Sequence, residues 1–240
     1  MKYTGGYMDK KIEKFIKEVK TALGENLKSF ILYGSAASND SYKTSDINTL
    51  IVVKECDTVT LKSLSAPFKK WIKTGNPAPL LFTYDRIKYA DDIFPMEFLD
   101  IKENHVMLFG DDIFKKMKIR TQHLRLEIER EMKGSILRLR QAYILTGGNS
   151  RDVIKLIRGS VSTFVVIFKA ILRLYGKKVP AKKWDIIMNM PKNFKLNHSI
   201  FADALALKEG RETVADANMF FSTYMAEIEK VNLIIDRFKK

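Results

Sequence analysis

The sequence predicts an α/β (α+β) fold, a mixed-sheet domain followed by an all-α helical bundle. Three observations carry this expectation. In residues 30–53, FILYGSAASNDSYKTSDINTLIVV, two apolar runs flank a Gly-Ser turn and a polar loop, which reads as strand, turn, loop and strand. From about residue 120 onward the apolar spacing is helical throughout, punctuated by glycine and proline. The chain of 240 residues is 46% apolar, enough to bury the core of one large or two modest domains, and the change of grammar divides it into residues 1–118 and 119–240.

Taken in order, residues 8–23 place Ile12, Phe15, Ile16, Val19 and Leu23 at helical spacing between lysines and glutamates, and Gly24 ends that helix. A strand follows over residues 27–33. The second apolar run, residues 49–53, is preceded by polar residues two apart. Because strand side chains alternate, Asp46 and Asn48 face one side and Ile47 the other, giving one chemical face and one core face. Asp57 caps a helix through Leu61, Leu64, Phe68 and Trp71, which Pro67 is expected to kink or interrupt. Residues 79–84, PLLFTY, read as a third strand. Residues 96–101, MEFLDI, read as a further strand with Glu97 and Asp100 on opposite faces, and residues 102–110, KENHVMLFG, as a short helix or turn ending at Gly110. His105 lies in that segment without a second His or Cys at metal spacing, so it reads as a surface or helix-end histidine, as do His123 and His198.

In the second half, Leu124, Ile128, Met132, Ile136, Leu139, Tyr143 and Leu145 mark a long amphipathic helix stopped by Gly147-Gly148. A helix over residues 151–175 is apolar nearly all round at its centre, which suits the middle of a bundle or a homodimer face. Shorter helices over residues 182–190 and 201–208 follow. The last runs over about residues 214–238 with Met219, Phe220, Tyr224, Ile228, Val231 and Ile235 inward.

The stretch YGSAASNDSYKTSDINTLIVV resembles the nucleotidyltransferases of the DNA polymerase beta superfamily, and most closely their aminoglycoside nucleotidyltransferase branch. The shared pattern is Tyr-Gly-Ser, a spacer of matching length, and Ser-Asp-Ile-Asp running into an apolar strand. The resemblance implies transfer of a nucleoside monophosphate from an NTP to a hydroxyl acceptor. It implies nucleotide phosphates seated by Gly34, Ser35 and Ser45, and Mg2+ held by Asp46 and its partner two residues on. Here that partner is Asn48, so the pair is a degenerate Asp-x-Asn. An amide oxygen is neutral, and a two-ion site would lose one negative charge, which lowers phosphoryl transfer by orders of magnitude. The family's third carboxylate lies on the strand after the Asp-x-Asp strand. PLLFTY has no acid, with Leu81 near the expected place, and MEFLDI, where Glu97 or Asp100 could approach the site, is the second candidate for that strand. The family binds its acceptor between the catalytic and helical domains, which leaves Glu97, Glu127 or Glu131 as candidate general bases. Glu127 and Glu131 share a helix face, and Arg130 and Lys133 beside them also fit a salt-bridged face. The expected function is a nucleotidyltransferase-fold protein with impaired or lost catalysis, with Asp46, Asn48, Glu97 and Glu127 as its catalytic set. The alternative is a non-catalytic nucleotide- or anion-binding or protein-interaction module.

Charge limits the partners. The net charge is +14, from 20 basic against 16 acidic residues over residues 1–120 and 22 against 12 over residues 121–240. The excess favours an anionic partner, nucleotide or nucleic acid, although no basic run is long enough to define a patch. No apolar run reaches the roughly 18 residues of a membrane span and the start has no apolar signal core, so the expectation is a cytoplasmic protein. The single cysteine, Cys56, excludes an internal disulfide and a cysteine metal cluster.

Overall fold

Each apolar stripe of the first half finds one face of a small sheet. The computed structural model describes residues 10–37, 46–87 and 89–238. The chain packs as two compact units, residues 1–120 and 121–240.

In the first unit, α1 (Lys10–Leu23) buries Ile12, Phe15, Ile16, Val19 and Leu23. The Phe15 ring stacks on Trp71 at 4.5 Å and meets Phe30 edge-on at 5.6 Å. Burial of side chains this large is worth about 1.5–3 kcal/mol each. Strand β1 (Leu27–Tyr33) leads into a short turn, Gly34–Ala37, and β2 (Asn48–Val53) returns beside it. Helix α2 (Thr58–Ile72) begins where the Asp57 carboxylate accepts the Thr60 N–H at 2.8 Å. Pro67 does not interrupt it: the proline forfeits one backbone donor, but it is buried between Leu64 and Trp71, and this packing holds the helix continuous.

Strand β3 (Leu80–Thr83), helices α3 (Tyr84–Ile87) and α4 (Pro95–Glu103), and strand β4 (His105–Gly110) complete this unit. The sheet order is β3-β2-β1-β4, with β1 antiparallel to both neighbours and β2 parallel to β3. The sheet is therefore mixed, as expected.

Two expectations are overturned here. Residues 96–101 are helix, not strand: Pro95 sits at the first helical position, and Phe98 and Ile101, three apart, both enter the core. Glu97 and Asp100, also three apart, therefore share a side of the helix instead of standing on opposite faces of a strand. Of residues 102–110, Lys102 and Glu103 close α4, and His105–Gly110 are strand, not helix or turn. Val106, Leu108 and Phe109 pack toward α1 and α2 while Met107 packs on the other face, so the apolar run serves both sides of the sheet. Gly110 is obligatory at its end, because it adopts φ +75° and a Cβ there would lie 1.8 Å from the Lys28 carbonyl oxygen.

The sheet has a core on each face. Phe30, Leu32, Ile51 and Val53 pack with α1 and α2; Ile31, Leu50 and Val52 pack with Phe98, Ile101 and Phe114. The expected division into a chemical and a core face thus fails along the strand interior, where both faces are apolar. Polar side chains gather instead at the strand ends around Asn48.

The second unit contains α5 (Thr121–Thr146), α6 (Ser150–Leu174), α7 (Lys183–Met188), α8 (His198–Lys208) and α9 (Ala217–Asp236). Helix α6 is central, packing on α5, α7, α8 and α9 and burying Val161, Phe164, Phe168 and Ile171 inside the unit. Two assignments of facing change. Leu145 is exposed, since two residues beyond Tyr143 turn it about 200° away on a helix. Met219 is exposed and Phe221 takes the inward place, stacked on Tyr143 at 4.4 Å, because three residues rather than five separate it from buried Tyr224. His198 begins α8, the helix-end placement expected of it. No helix among the described residues is long and apolar enough to cross a membrane.

Candidate functional site

Three strand ends meet at one edge of the sheet. Tyr33, the last residue of β1, pairs with Asn48 at the start of β2 and with His105 at the start of β4. Cross-strand partners share a face, so His105, Tyr33 and Asn48 form a polar row on the side of Ile31, Leu50 and Met107. The chain leaves this row through Gly34, whose φ of +77° lies in the left-handed region that only glycine adopts cheaply. The Gly34 N–H donates to the Asn104 carbonyl at 3.2 Å, which ties the turn to the end of α4.

The predicted residues distribute as follows. The Asn48 amide packs against the turn, its Nδ2 3.3 Å from where a Cβ on Gly34 would stand. Asp46 is exposed two residues earlier. Between them Ile47 joins the core under α1 and α2, and its N–H donates to Asn76 Oδ1 at 3.0 Å. Ser35 contributes its backbone to the turn Gly34–Ala37, and Ser45 lies outside the described residues. Glu97 is exposed on α4 and close enough to act on Tyr33: burial first, and the Glu97 carboxylate second, push the Tyr33 phenol above its ordinary pKa.

Strand β3 carries no acid. Its register pairs Leu80 with Leu50 and Phe82 with Val52, whereas Leu81 packs in the opposite core. Leu80, not Leu81, therefore shares Asn48's face on the neighbouring strand. The reason is strand alternation read from an observed register, which the sequence alone leaves one residue uncertain.

Glu127 lies in the second unit, buried in α5 with Arg130 Nη2 at 3.6 Å, and Glu131 meets Arg130 Nε at 3.7 Å. Lys133 turns instead to Glu129 and Asp236, at 2.6 and 2.9 Å. Glu127 is thus buried rather than part of an exposed ion-paired face, while Glu131 stays partly exposed beside Arg130.

Among the described residues, the donor set at the start of β2 does not fit a pair of magnesium ions. At the start of β2 it offers one carboxylate, Asp46, and one neutral amide, Asn48, with apolar Leu80 beyond. Among the described residues no group of three or more His, Cys, Asp and Glu is arranged to hold a metal ion.

Sequence reading missed Tyr33 and His105 as members of this row. Tyr33 adjoins Gly34 and was visible as part of the Tyr-Gly-Ser run. His105 escapes local reading because residues 102–110 read as a short helix or turn, whereas His105–Gly110 form β4. It is not a surface histidine: its Nε2 lies 3.2 Å from Asp112 Oδ1, and the same oxygen accepts the N–H groups of Phe114 and Lys115 at 3.0 Å each.

No protein-family model matches the chain, and no curated protein matches it in sequence. Among solved structures it is similar to the spectinomycin adenyltransferase AAD(9) from Enterococcus faecialis with ATP and spectinomycin, at 12% identity and a TM-score of 0.55, over 93% of this chain and 100% of that one. The likeness spans both halves of the sequence and shows that the chain has a nucleotidyltransferase fold.

Proposed function

We propose that this chain binds a nucleoside triphosphate at the Gly34 turn and that its capacity to transfer the nucleoside monophosphate to a hydroxyl acceptor is impaired or lost. The observation that carries the reading is the Asn48 amide set against Gly34 at the start of β2, with an acid-free strand beside it. The turn supports the binding half of the proposal. Its left-handed glycine brings bare backbone to the surface, the geometry by which a chain approaches phosphates closely. Asn48 and Leu80 support the catalytic half, because in-line transfer needs fixed anionic ligands to hold its metal ions.

Transfer on this fold would require the acceptor oxygen to bond to the α-phosphorus, the bond to pyrophosphate to break, and the acceptor proton to pass to a base. Of the three candidate glutamates, Glu97 is the one beside the Tyr33–Asn48 row in the first unit. The likeness to an adenyltransferase with ATP and spectinomycin supports a nucleotide and a small hydroxylated molecule as ligands. A second reading, a nucleotide- or anion-binding module without turnover, is favoured by the acid-free β3.

A thermal-shift titration with the four NTPs, with and without magnesium, tests both. A ligand that binds only the folded state raises stability by about 2.7 kcal/mol at a hundred times its Kd. The expected result is a shift that magnesium changes little and that Asp46→Ala leaves largely intact, while Asn48→Asp makes it magnesium-dependent. A strongly magnesium-dependent shift in the unaltered chain, abolished by Asp46→Ala, would sink the impaired-site reading, and no shift with any NTP would remove nucleotide binding.

A further inference from the structure

The modest +4 of the first half conceals a segregation that folding creates. Residues 10–23 and 58–73, which form α1 and α2 with its C-cap, hold nine lysines against two glutamates, a net of +7. Residues 84–87 and 89–103, whose Ile87, Phe98 and Ile101 pack on the opposite face of the sheet, hold two basic residues against six acids, a net of −4. The unit is therefore electrically two-sided, and the positive side lies away from the face carrying Tyr33 and Asn48.

The lysines of that side are ordered. Lys10, Lys14 and Lys17 recur once per turn (i, i+4, i+7) on the exposed face of α1, and Lys62, Lys69 and Lys73 (i, i+7, i+11) are exposed on one line of α2 and its C-cap. Between the two helices runs a groove of about 500 Å³, lined by Lys14 and Lys17 of α1 and Lys70 of α2. Its lining sets Thr21 of α1 beside Ser63 of α2, and Lys70 reaches Glu18 across it at 3.2 Å. Among the described residues none of the six lysines on the two lines has an ion pair, so their charge faces solvent uncompensated.

We propose that the α1–α2 layer is a docking surface for the phosphate backbone of duplex nucleic acid. Charge complementarity and shape point to this partner. Two lysine-bearing helices flanking a shallow groove receive a ridge of regularly spaced anions. Helix α1 has 14 residues, a length of about 21 Å over which a duplex presents about 12 phosphates. A lipid surface fits α1 poorly, because its exposed face offers only lysine, glutamate and threonine; α2 does expose Val59, Leu61 and Ile72, so vesicles form an arm of the test. Flexible lysines reading only phosphates give binding without sequence preference. Docking on the outer surface of α1 and α2 leaves the Tyr33–Asn48 row on the other sheet face open, so the surface is a second function of the unit and does not rest on nucleotide binding.

The test is fluorescence anisotropy of the full chain with a labelled 20-base-pair duplex of arbitrary sequence, titrated at several salt concentrations. With six lysines on phosphates, affinity is expected to fall about 10³-fold between 50 and 200 mM salt, and in a quadruple variant with Lys14, Lys17, Lys69 and Lys73 replaced by Gln only about 10-fold. A matched variant with Lys178, Lys182, Lys183 and Lys192 replaced by Gln removes the same charge from the second unit and is expected to keep the unaltered salt slope. Melting curves by circular dichroism verify that both variants fold. Absence of duplex binding overturns the proposal. So does an equal loss in the matched variant, which would reduce the effect to net charge, and so does binding to phosphatidylserine vesicles without binding to the duplex.

Discussion

Replacing Gly34 by alanine probes the junction on which the site is built. At φ +77° an L residue pays about 1–2 kcal/mol for the left-handed conformation. The new Cβ would also stand 3.3 Å from Asn48 Nδ2, a tight contact, but one made with the far end of a flexible side chain that yields by a few tenths of an ångström. The conformational cost therefore dominates, and Gly34→Ala should destabilise by about 1–2 kcal/mol, lowering the melting temperature of a unit this size by roughly 3–10 °C. Thermal unfolding followed by circular dichroism measures this, with Gly34→Ala/Asn48→Ala as the partner variant. Removing the Asn48 amide should restore only a small part of the loss. An unchanged melting temperature in Gly34→Ala would mean that the turn is not left-handed, and full recovery in the double variant would mean that the Asn48 contact, not the backbone, sets the cost. If the turn seats phosphates, the same alanine also weakens the NTP-induced thermal shift.

Two pH-dependent outcomes follow from groups with shifted titration. The N–H groups at the start of α2, that of Thr60 above all, hold the Asp57 carboxyl below its ordinary pKa. A depressed folded-state value contributes stability that is present above the unfolded carboxylate pKa and lost as pH falls through the folded one. Asp57→Asn, which still caps, should flatten that acid limb of the stability curve, as urea unfolding across pH 2–6 will record; an unaltered limb refutes the assignment. Tyr33 shifts upward through burial and the Glu97 charge, so its stabilising effect is complete below the ordinary tyrosine range and lost as pH rises through the raised value. In ultraviolet titration the difference between the unaltered chain and Tyr33→Phe isolates this phenol, and Glu97→Gln should move its midpoint down; no movement would separate Glu97 from the site.

Much of the fold follows from local chemistry along the chain. The α1 stripe, the Asp57 cap, the two apolar strands around Gly34 and the glycine stops of the bundle are all set by side chains within a few residues of one another, so periodicity reveals them. The Asp46-x-Asn48 departure is likewise plain in the letters. Segments whose local pattern is ambiguous were decided elsewhere. MEFLDI became helix because Pro95 starts it and because Phe98 and Ile101 meet a core supplied by β1 and β2, and HVMLFG became strand because β1 had an unpaired edge to offer.

Tertiary structure alone decided the composition of the site and of the basic surface. The row of His105, Tyr33 and Asn48 joins residues up to 72 positions apart through hydrogen-bond register, which no local spacing encodes. Register likewise put Leu80, paired with Leu50, and not Leu81 on Asn48's face of the sheet. Sequence summed the charge of the first half to a modest excess because addition along a chain ignores direction. Folding sorted that charge onto two faces of one sheet, since α1 and α2 bury their apolar stripes on the same side and must turn their lysines outward together.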